Sequence, residues 1–126
     1  MRFEAGGRRF VLFDCPLFVY TADRISRLLG GRLACLDTPE VRARVIAELK
    51  PYRGQHVLLG GYAKWNEWYW MNGKKIDFPL RKAEKHLIPT RNRNFVTLRD
   101  GEFYDSQFAG AFLCEWSASS LSPRSR

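Results

Sequence analysis

A basic segment in the second half of the chain carries the side chains best suited to binding a charged ligand. Residues 74–93 hold seven cations and two anions, so this segment supplies +5 of the chain's net +8. Ammonium and guanidinium groups bind phosphate, sulfate and carboxylate groups. The segment therefore predicts a surface for an anionic glycan or an acidic protein. The alternative interpretation is a solvated loop whose charge only keeps the protein soluble.

Aromatic residues precede this basic segment and have two interpretations. Trp68 and Trp70 alternate along a predicted strand and are expected to fill the core. Tyr62, Trp65 and Tyr69 are candidates for exposure beside lysines. Exposed rings of this kind stack on sugars or bases, and they are equally common in protein interfaces.

The residues that usually perform catalysis occur without recognisable partners. His56 stands just before an apolar strand, and His86 lies in the basic segment, where neighbouring cations disfavour its charged form. Cys15, Cys35 and Cys114 have neither a metal-ligand spacing nor an evident base. No catalytic motif or glycine-rich nucleotide loop occurs. We therefore expect no enzyme, no cofactor and no structural metal.

The charge of the whole chain leaves two further functions open. A net charge of +8 with exposed aromatics also fits nucleic-acid binding, although no RNA-binding or helix-turn-helix signature is present. The third alternative is an accessory domain that pairs with a neighbouring domain or with an identical chain. In that case the Ser-rich residues 117–126 would be a linker.

Length and composition indicate one folded domain. The chain has 126 residues, of which 45% are hydrophobic and 14% aromatic, enough for a core without staples. No apolar run approaches the roughly 18 residues of a membrane span. Asp14 interrupts the first apolar run and no cleavage site follows it, so we expect no signal peptide and a cytoplasmic protein or a domain of a larger one. We predict a folded region over residues 1–116 and a disordered tail or linker over residues 117–126.

Two helices are predicted in the first half of the chain. Thr21 is expected to cap the first, and Gly30–Gly31 to end it. The core-facing residues of this helix are expected to be Ala22, Ile25, Leu28 and Leu29. The second helix begins at Asp37–Thr38–Pro39–Glu40, because proline and an acidic side chain suit the first turn, and Pro51 ends it.

Strand patterns and turn signals occur throughout the rest of the chain. The predicted strands are residues 10–13, 18–20, 32–36, 57–59, 65–70, 94–98, 103–105 and 111–116. Asn72–Gly73 and Asp100–Gly101 predict hairpin turns, and Gly60–Gly61 is interpreted as a pair of turn glycines. Residues 74–93 show little periodicity and predict a long loop. Helices separated along the chain from antiparallel strands indicate an α+β fold.

Five short motifs follow one another between residues 8 and 116. They are Gly30–Gly31–Arg32–Leu33–Ala34, Asp37–Thr38–Pro39–Glu40, Leu58–Leu59–Gly60–Gly61, Trp70–Met71–Asn72–Gly73 and Phe112–Leu113–Cys114–Glu115. In this order the chain resembles a C-type lectin-like domain, in the version of its bacterial members. The resemblance implies two helices flanking small antiparallel sheets, and a long loop region at residues 74–93 that usually forms the ligand-binding face.

The cysteines depart from the pattern of the family. Cys114 stands at the closing cysteine of the family, but Ser26 occupies the place of its partner in the first helix. Phe95 and Phe108 stand where a second disulfide would join two late strands. Two buried phenylalanines supply apolar area comparable in effect to a disulfide, which indicates adaptation to a reducing compartment.

The calcium ligands of the sugar-binding members are also missing. Neither proline between Trp70 and Phe95 is flanked by acidic or amide residues, and the later triplet reads Phe103–Tyr104–Asp105. One carboxylate cannot supply the six to eight oxygens that calcium takes. The sequence therefore predicts a calcium-independent, non-catalytic recognition module. Its candidate ligand-binding residues are Tyr62, Trp65, Lys74, Lys75, Lys82, Lys85, His86, Arg91, Arg93 and Asp105.

Overall fold

The computed structural model describes residues 1–64, 67–82, 95–106 and 109–117, with Lys82 known by its strand position alone. The helices are α1 (Val19–Leu28) and α2 (Pro39–Glu48), and a 3-10 turn, Lys50–Tyr52, follows α2. The strands are β1 (Arg2–Ala5), β2 (Arg8–Phe13), β3 (Arg32–Leu33), β4 (Val57–Lys64), β5 (Glu67–Trp70), β6 (Arg81–Lys82), β7 (Phe95–Arg99), β8 (Glu102–Ser106) and β9 (Ala111–Ser117).

The described strands form one mixed sheet, in the order β1-β2-β9-β4-β7-β8-β6. Strand β3 pairs with β9, and β5 pairs with β4 beside this path. The contacts β4–β9 and β6–β8 are parallel, and the other pairings are antiparallel. Two helices with a largely antiparallel sheet confirm the predicted α+β class. Neither described helix combines the length and apolarity needed to cross a membrane.

The core lies on both faces of the sheet, and β4 contributes to each. Val57 and Leu59 pack in a larger cluster with Val41 of α2, whereas Leu58 packs in a second cluster with Ala22 of α1. Successive strand residues point to opposite faces. Burial on both faces therefore explains why the start of β4 is uniformly apolar rather than alternating.

The N-terminal region corrects two predictions. Residues 18–20 are not a strand, because Phe18 is the extended residue before α1 and its carbonyl accepts the amide of Ala22 at 2.9 Å. Thr21 lies inside the helix and does not cap it. The β1–β2 hairpin was not predicted. Gly6–Gly7, with φ of 58° and 76°, forms the turn between its strands and was a usable signal.

The buried face of α1 also differs from the prediction. Leu28 and Leu29 are 78% and 52% exposed, so their expected place in the core is wrong. The buried positions are Ala22 and Ser26, which lie one helical turn apart. Their small side chains allow α1 to approach the sheet closely enough for Ser26 to reach β9.

The second helix forms as its sequence predicts. The Thr38 hydroxyl accepts a hydrogen bond from the Val41 amide at 3.1 Å, and Pro39 occupies the first turn. Glu40 lies in the same turn, where the helix dipole favours a negative charge. Val41 and Val45 are buried against the sheet. Local capping chemistry thus fixes where this helix begins.

Gly60 and Gly61 are strand residues, not turn glycines as predicted. A Cβ atom on Gly60 would lie 2.6 Å from the Leu33 carbonyl oxygen, and one on Gly61 would lie 2.5 Å from Cγ2 of Val96. The Gly60 amide donates to the carbonyl of Ala34 at 2.7 Å. Glycine is needed here because neighbouring backbone and side chains pass too close for any side chain.

The later strands follow the predicted pattern with small extensions. Asp100 and Gly101, with φ of 51° and 81°, form the turn between β7 and β8. Within the predicted long loop, Arg81–Lys82 pairs with β8 as a short strand, which the irregular pattern did not indicate. Strand β9 extends to Ser117. Residues 118–126 of the predicted tail lie outside the described part of the chain.

Ser26 and Cys114 meet where the resemblance places a disulfide. The Ser26 hydroxyl oxygen lies 2.6 Å from the Cys114 sulfur, and the hydroxyl donates to the Ala22 carbonyl at 2.8 Å. The thiol of Cys114 is therefore placed to donate to the hydroxyl. Phe95, at a second cystine position, is buried and packs edge-on against Tyr20. Its expected counterpart Phe108 lies outside the described residues.

We predict that Ser26→Cys forms a disulfide with Cys114. The new bond should raise the free energy of unfolding by about 2–4 kcal/mol, because it constrains the unfolded chain. Urea unfolding with and without dithiothreitol measures the gain. Ser26→Ala is the matched control and should lose about 1 kcal/mol through the missing hydrogen bond. Free thiols in the oxidised Ser26→Cys protein would contradict the predicted geometry.

The three free thiols should differ sharply in reactivity. Cys15 is exposed, whereas Cys35 and Cys114 are buried. Burial raises the pKa of Cys35 to about 11, and Glu115 adds to this. Burial also raises the pKa of Cys114 to about 11, against a lowering effect of Ser26. Titration with Ellman's reagent should therefore modify Cys15 alone in the folded protein and all three in denaturant. Rapid modification of a second thiol without denaturant would contradict this.

Candidate functional site

The β4–β5 hairpin presents two tyrosines side by side. Tyr62 pairs with Tyr69 across the hairpin, and their ring centroids lie 6.3 Å apart. The Tyr69 hydroxyl donates to Glu67 at 2.7 Å, and the Lys75 ammonium lies 3.1 Å from the other oxygen of that carboxylate. Both tyrosines are half-buried. We call Tyr62, Glu67, Tyr69 and Lys75 the tyrosine platform.

The charges of the tyrosine platform are coupled. The Tyr69 hydroxyl, followed by Lys75, lowers the pKa of Glu67 below its usual range. The same hydrogen bond raises the pKa of Tyr69, because the hydroxyl must keep its proton in order to donate it to Glu67. The platform therefore combines two phenol rings with a carboxylate whose ionised form is favoured and the lysine that pairs with it. This combination offers flat apolar faces edged by hydrogen-bonding and charged groups.

The opposite side of the hairpin faces the core. Trp70 is 1% exposed, as predicted, and packs against Phe78 with ring centroids 6.4 Å apart. Trp68 is half-buried, so it fills the core only in part. The predicted turn at Asn72–Gly73 is present, with Gly73 at φ 95° and its amide bonded to the Trp70 carbonyl. This turn brings Lys75 back beside Tyr69.

The described cations of the basic segment all contact carboxylates. Lys74 lies 3.3 Å from Asp37, and Arg81 lies 3.0 Å from Glu102. Their side chains stay 65% and 64% exposed. The Arg81–Glu102 pair is exposed on both sides, and pairs of this kind contribute about 0–1 kcal/mol, whereas Lys74 pairs with the largely buried carboxylate of Asp37. The described side chains of the segment thus form ion pairs rather than a cluster of free cations.

The other predicted ligand-binding residues of this region are only partly placed. Trp65, Lys85, His86, Arg91 and Arg93 lie outside the described residues. Lys82 is placed opposite Asp105 by the parallel pairing of β6 with β8. Asp105, the one carboxylate retained from the calcium triplets of the family, therefore has a lysine position beside it. Within the described ranges, no three His, Cys, Asp or Glu side chains converge as a metal site would require.

Sequence comparison and structure comparison give different results. No protein-family model and no curated protein matches the sequence. The carbohydrate-recognition domain of the human scavenger receptor C-type lectin superposes at TM-score 0.74 and 16% identity, covering 92% of this chain and 95% of that one. The C-type carbohydrate-recognition domain of cow CD23 superposes at TM-score 0.73 and 15% identity, covering 93% of each chain. Human lithostathine superposes at TM-score 0.71 and 15% identity, covering 92% and 88%.

The chain has the C-type lectin-like fold. The likeness spans nearly the whole chain and each of these neighbours, so it concerns the complete fold rather than a shared piece. It confirms the fold that the five ordered motifs predicted. The closing strand of that resemblance, Phe112–Glu115, lies within β9 in the interior of the sheet.

A buried ion network connects the sheet of this lectin-like fold to the start of α2. Glu115 is 2% exposed and accepts hydrogen bonds from Arg8 at 3.0 Å, from Arg32 at 2.8 Å and from the Cys35 amide at 2.9 Å. Arg8 also donates to Asp37 at 2.8 Å. The network therefore joins β2, β3 and β9 to the residue that precedes the cap of α2.

Asp37 links this network to the hairpin that carries the tyrosine platform. Its second oxygen accepts from the Asn72 amide at 2.9 Å and pairs with Lys74. Burial opposes ionisation of Asp37, but the hydrogen bond and charge of Arg8 outweigh it and lower its pKa. Burial likewise disfavours the charged form of Arg8, yet Glu115 and Asp37 raise its pKa. The turn after β5 is thus held by a largely buried carboxylate that is ionised at neutral pH.

Sequence reasoning found the tyrosines and Lys75 but missed Glu67, which joins them. Glu67 lies two residues before Tyr69 in a predicted strand, so period-two alternation was a usable signal that both share a face. No comparable signal joined Arg8 to Glu115, because 107 residues separate them. The ion pair of Asp37 was missed for the same reason, because its partner is also the distant Arg8.

The network predicts a loss of stability in acid. The lowered pKa of Asp37 means that its contribution is complete above the ordinary aspartate value and is lost as pH falls through the lower folded value. The free energy of unfolding should therefore decline as pH drops below about 4. Asp37→Asn should be less stable at neutral pH by about 1–3 kcal/mol and should show a shallower decline in acid.

Urea unfolding between neutral pH and pH 2 provides the measurement. The matched control is Asp14→Asn, an exposed aspartate, which should follow the wild-type curve. Parallel curves for wild type and Asp37→Asn throughout the acid range would show that Asp37 does not control this dependence.

Proposed function

We propose that the protein is a calcium-independent, non-catalytic recognition module that binds an anionic ligand. The observation that carries this proposal is the tyrosine platform, which adjoins the basic segment of residues 74–93 through Lys75. The ligand would be an anionic glycan or the acidic surface of a protein. Both offer carboxylate, sulfate or phosphate groups next to flat or apolar surface.

The neighbouring structures support recognition as the general activity. Two of them are described as carbohydrate-recognition domains, and the one from cow CD23 is solved in the presence of a GlcNAc2Man3 oligosaccharide. Fold alone does not transfer a ligand. The ligand chemistry of this chain is therefore argued from its own side chains.

Asp105 is the reason for proposing that binding does not require calcium. Calcium binding needs several converging oxygens, whereas Asp105 retains one carboxylate and lies opposite Lys82 in the strand register. A basic residue type opposite the one retained carboxylate favours an anionic group over a calcium ion at this place. An anionic group would then be bound by cations and aromatic faces without a metal.

The ion pairs of the surface favour an anionic ligand. Glu67 and Glu102 pair with Lys75 and Arg81 while leaving both cations exposed. A carboxylate or sulfate of the ligand replaces these side-chain carboxylates at little cost, because exposed pairs are weak. Tyr62 and Tyr69 add contact area with little loss of side-chain freedom.

Binding should therefore be independent of calcium and sensitive to salt. The probes are immobilised heparin, as an anionic glycan, and poly-glutamate, as an acidic polypeptide. We expect equal affinity in calcium and in EDTA, and weaker binding as ionic strength rises. Reversing Lys82, Lys85, Arg91 and Arg93 to glutamate should weaken binding at least tenfold, and Tyr62→Ala should weaken it about fivefold or more.

The controls separate this surface from total charge. Reversing Arg2, Arg9, Arg24 and Arg44, which lie on other elements, changes the net charge equally and should alter affinity less than threefold. Unchanged binding after the first reversal would overturn the proposed face. A single-stranded oligonucleotide that binds more tightly than both probes at the same salt would instead favour the nucleic-acid alternative.

A further inference from the structure

A concave cleft lies at the other end of β4 from the tyrosine platform. A cleft of about 530 Å³ opens between the end of α2, the 3-10 turn Lys50–Tyr52 and the turn from β7 to β8. This volume lies in the range of small-molecule sites, about 300–1,000 Å³. Five strand residues separate Val57, in the cleft, from Tyr62, a distance of roughly 17 Å. The two sites are therefore separate.

The floor of this cleft is apolar. Leu49, Val57 and Leu98 line it and are 7%, 1% and 2% exposed, and half-buried Ile46 forms one side. These residues come from α2, β4 and β7, which belong to the larger core cluster. The floor is thus built on rigid elements rather than on loops. It suits the hydrocarbon or aryl part of a ligand.

The mouth of the cleft carries cations without partners. Lys50 and Arg53 line it, and neither lies within ion-pair distance of a described carboxylate. The Tyr52 hydroxyl between them has no hydrogen-bond partner in the described residues. Lys74, by contrast, pairs with Asp37 although its side chain is 65% exposed.

The one carboxylate in the cleft is already engaged. Asp100 accepts the Gly54 amide at 2.9 Å, and its other oxygen lies 3.8 Å from Arg99. It therefore fixes the loop that carries Arg53 rather than neutralising the cations. The mouth keeps two positive charges and one free phenol donor above an apolar floor. A carboxylate or sulfate group takes hydrogen bonds from all three kinds of donor.

We propose that this cleft binds a small amphipathic anion. The apolar part of the ligand lies on Leu49, Val57 and Leu98, and its carboxylate or sulfate lies at Lys50 and Arg53. The ligand class comprises medium-chain fatty acids and aryl carboxylates. The proposal is independent of the recognition function of the tyrosine platform, since the two sites share no residue.

Decanoate, decanol and butyrate, each at submicellar concentration, test both halves of the site. Decanol keeps the apolar chain without the charge, and butyrate keeps the charge with a short chain. Calorimetry measures affinity, and amide chemical shifts in nuclear magnetic resonance locate the ligand. We expect decanoate to bind at least tenfold more tightly than either analogue, with shifts at Gly54 and Gly101.

Two variants distinguish the mouth from the floor. The double variant Lys50→Gln, Arg53→Gln should weaken decanoate binding at least fivefold and leave decanol binding within twofold. Ile46→Trp, which fills the cleft, should weaken both. The control Arg24→Gln, Arg44→Gln removes equal charge from the helices and should change neither.

Three results would contradict the proposed binding site. They are the lack of saturable decanoate binding, chemical shifts confined to other surfaces, and equal weakening by the control variant. Because the double variant changes only exposed cations, its fold is expected to persist, and its circular dichroism spectrum verifies this. Heparin binding by the same variant should stay unchanged, which separates failure of this site from failure of the tyrosine platform.

Discussion

A buried carboxylate sets the arrangement of this domain. Glu115 lies on an interior strand, is 2% exposed and receives hydrogen bonds from Arg8, Arg32 and the Cys35 amide. A charge in such a place without partners costs several kcal/mol. The folded state is therefore stable only when β2, β3 and the chain leading to α2 all occupy their places. One side chain thereby couples elements that are far apart in sequence.

This interior charge also positions the hairpin that carries the tyrosine platform. Arg8 carries the network from Glu115 to Asp37, and Asp37 binds Asn72 in the turn after β5. That turn returns Lys75 beside the tyrosines. The contact of Ser26 with Cys114 and the packing of Phe95 take the places of covalent links in the resembled family. The domain is thus held together by ionic and apolar contacts that do not depend on thiol oxidation.

Local signals explain what the sequence could predict. The start of α2 and the β7–β8 turn were predicted correctly, because their conformations depend on residues close together in sequence. These residues are Thr38 with Pro39, and Asp100 with Gly101. Gly60 was misinterpreted because its need for glycine comes from the carbonyl of Leu33. The tyrosines of the candidate site were recognised by type, but the contacts of Arg8 with Glu115 and Asp37 that hold their hairpin depend on pairings across the folded sheet. Long-range contacts are therefore the part that sequence patterns miss.

The cations of the surface fall into two physically different groups. Lys75 and Arg81 are held by exposed carboxylates, so an incoming anion competes with groups already in place. Such competition gives weak, salt-sensitive and adaptable contacts. Lys50 and Arg53 have no such competitor among the described residues and line a cleft with an apolar floor. Desolvation there strengthens a charge contact and adds hydrophobic burial. The same excess of positive charge therefore suits large anionic surfaces at one end of β4 and small amphipathic anions at the other.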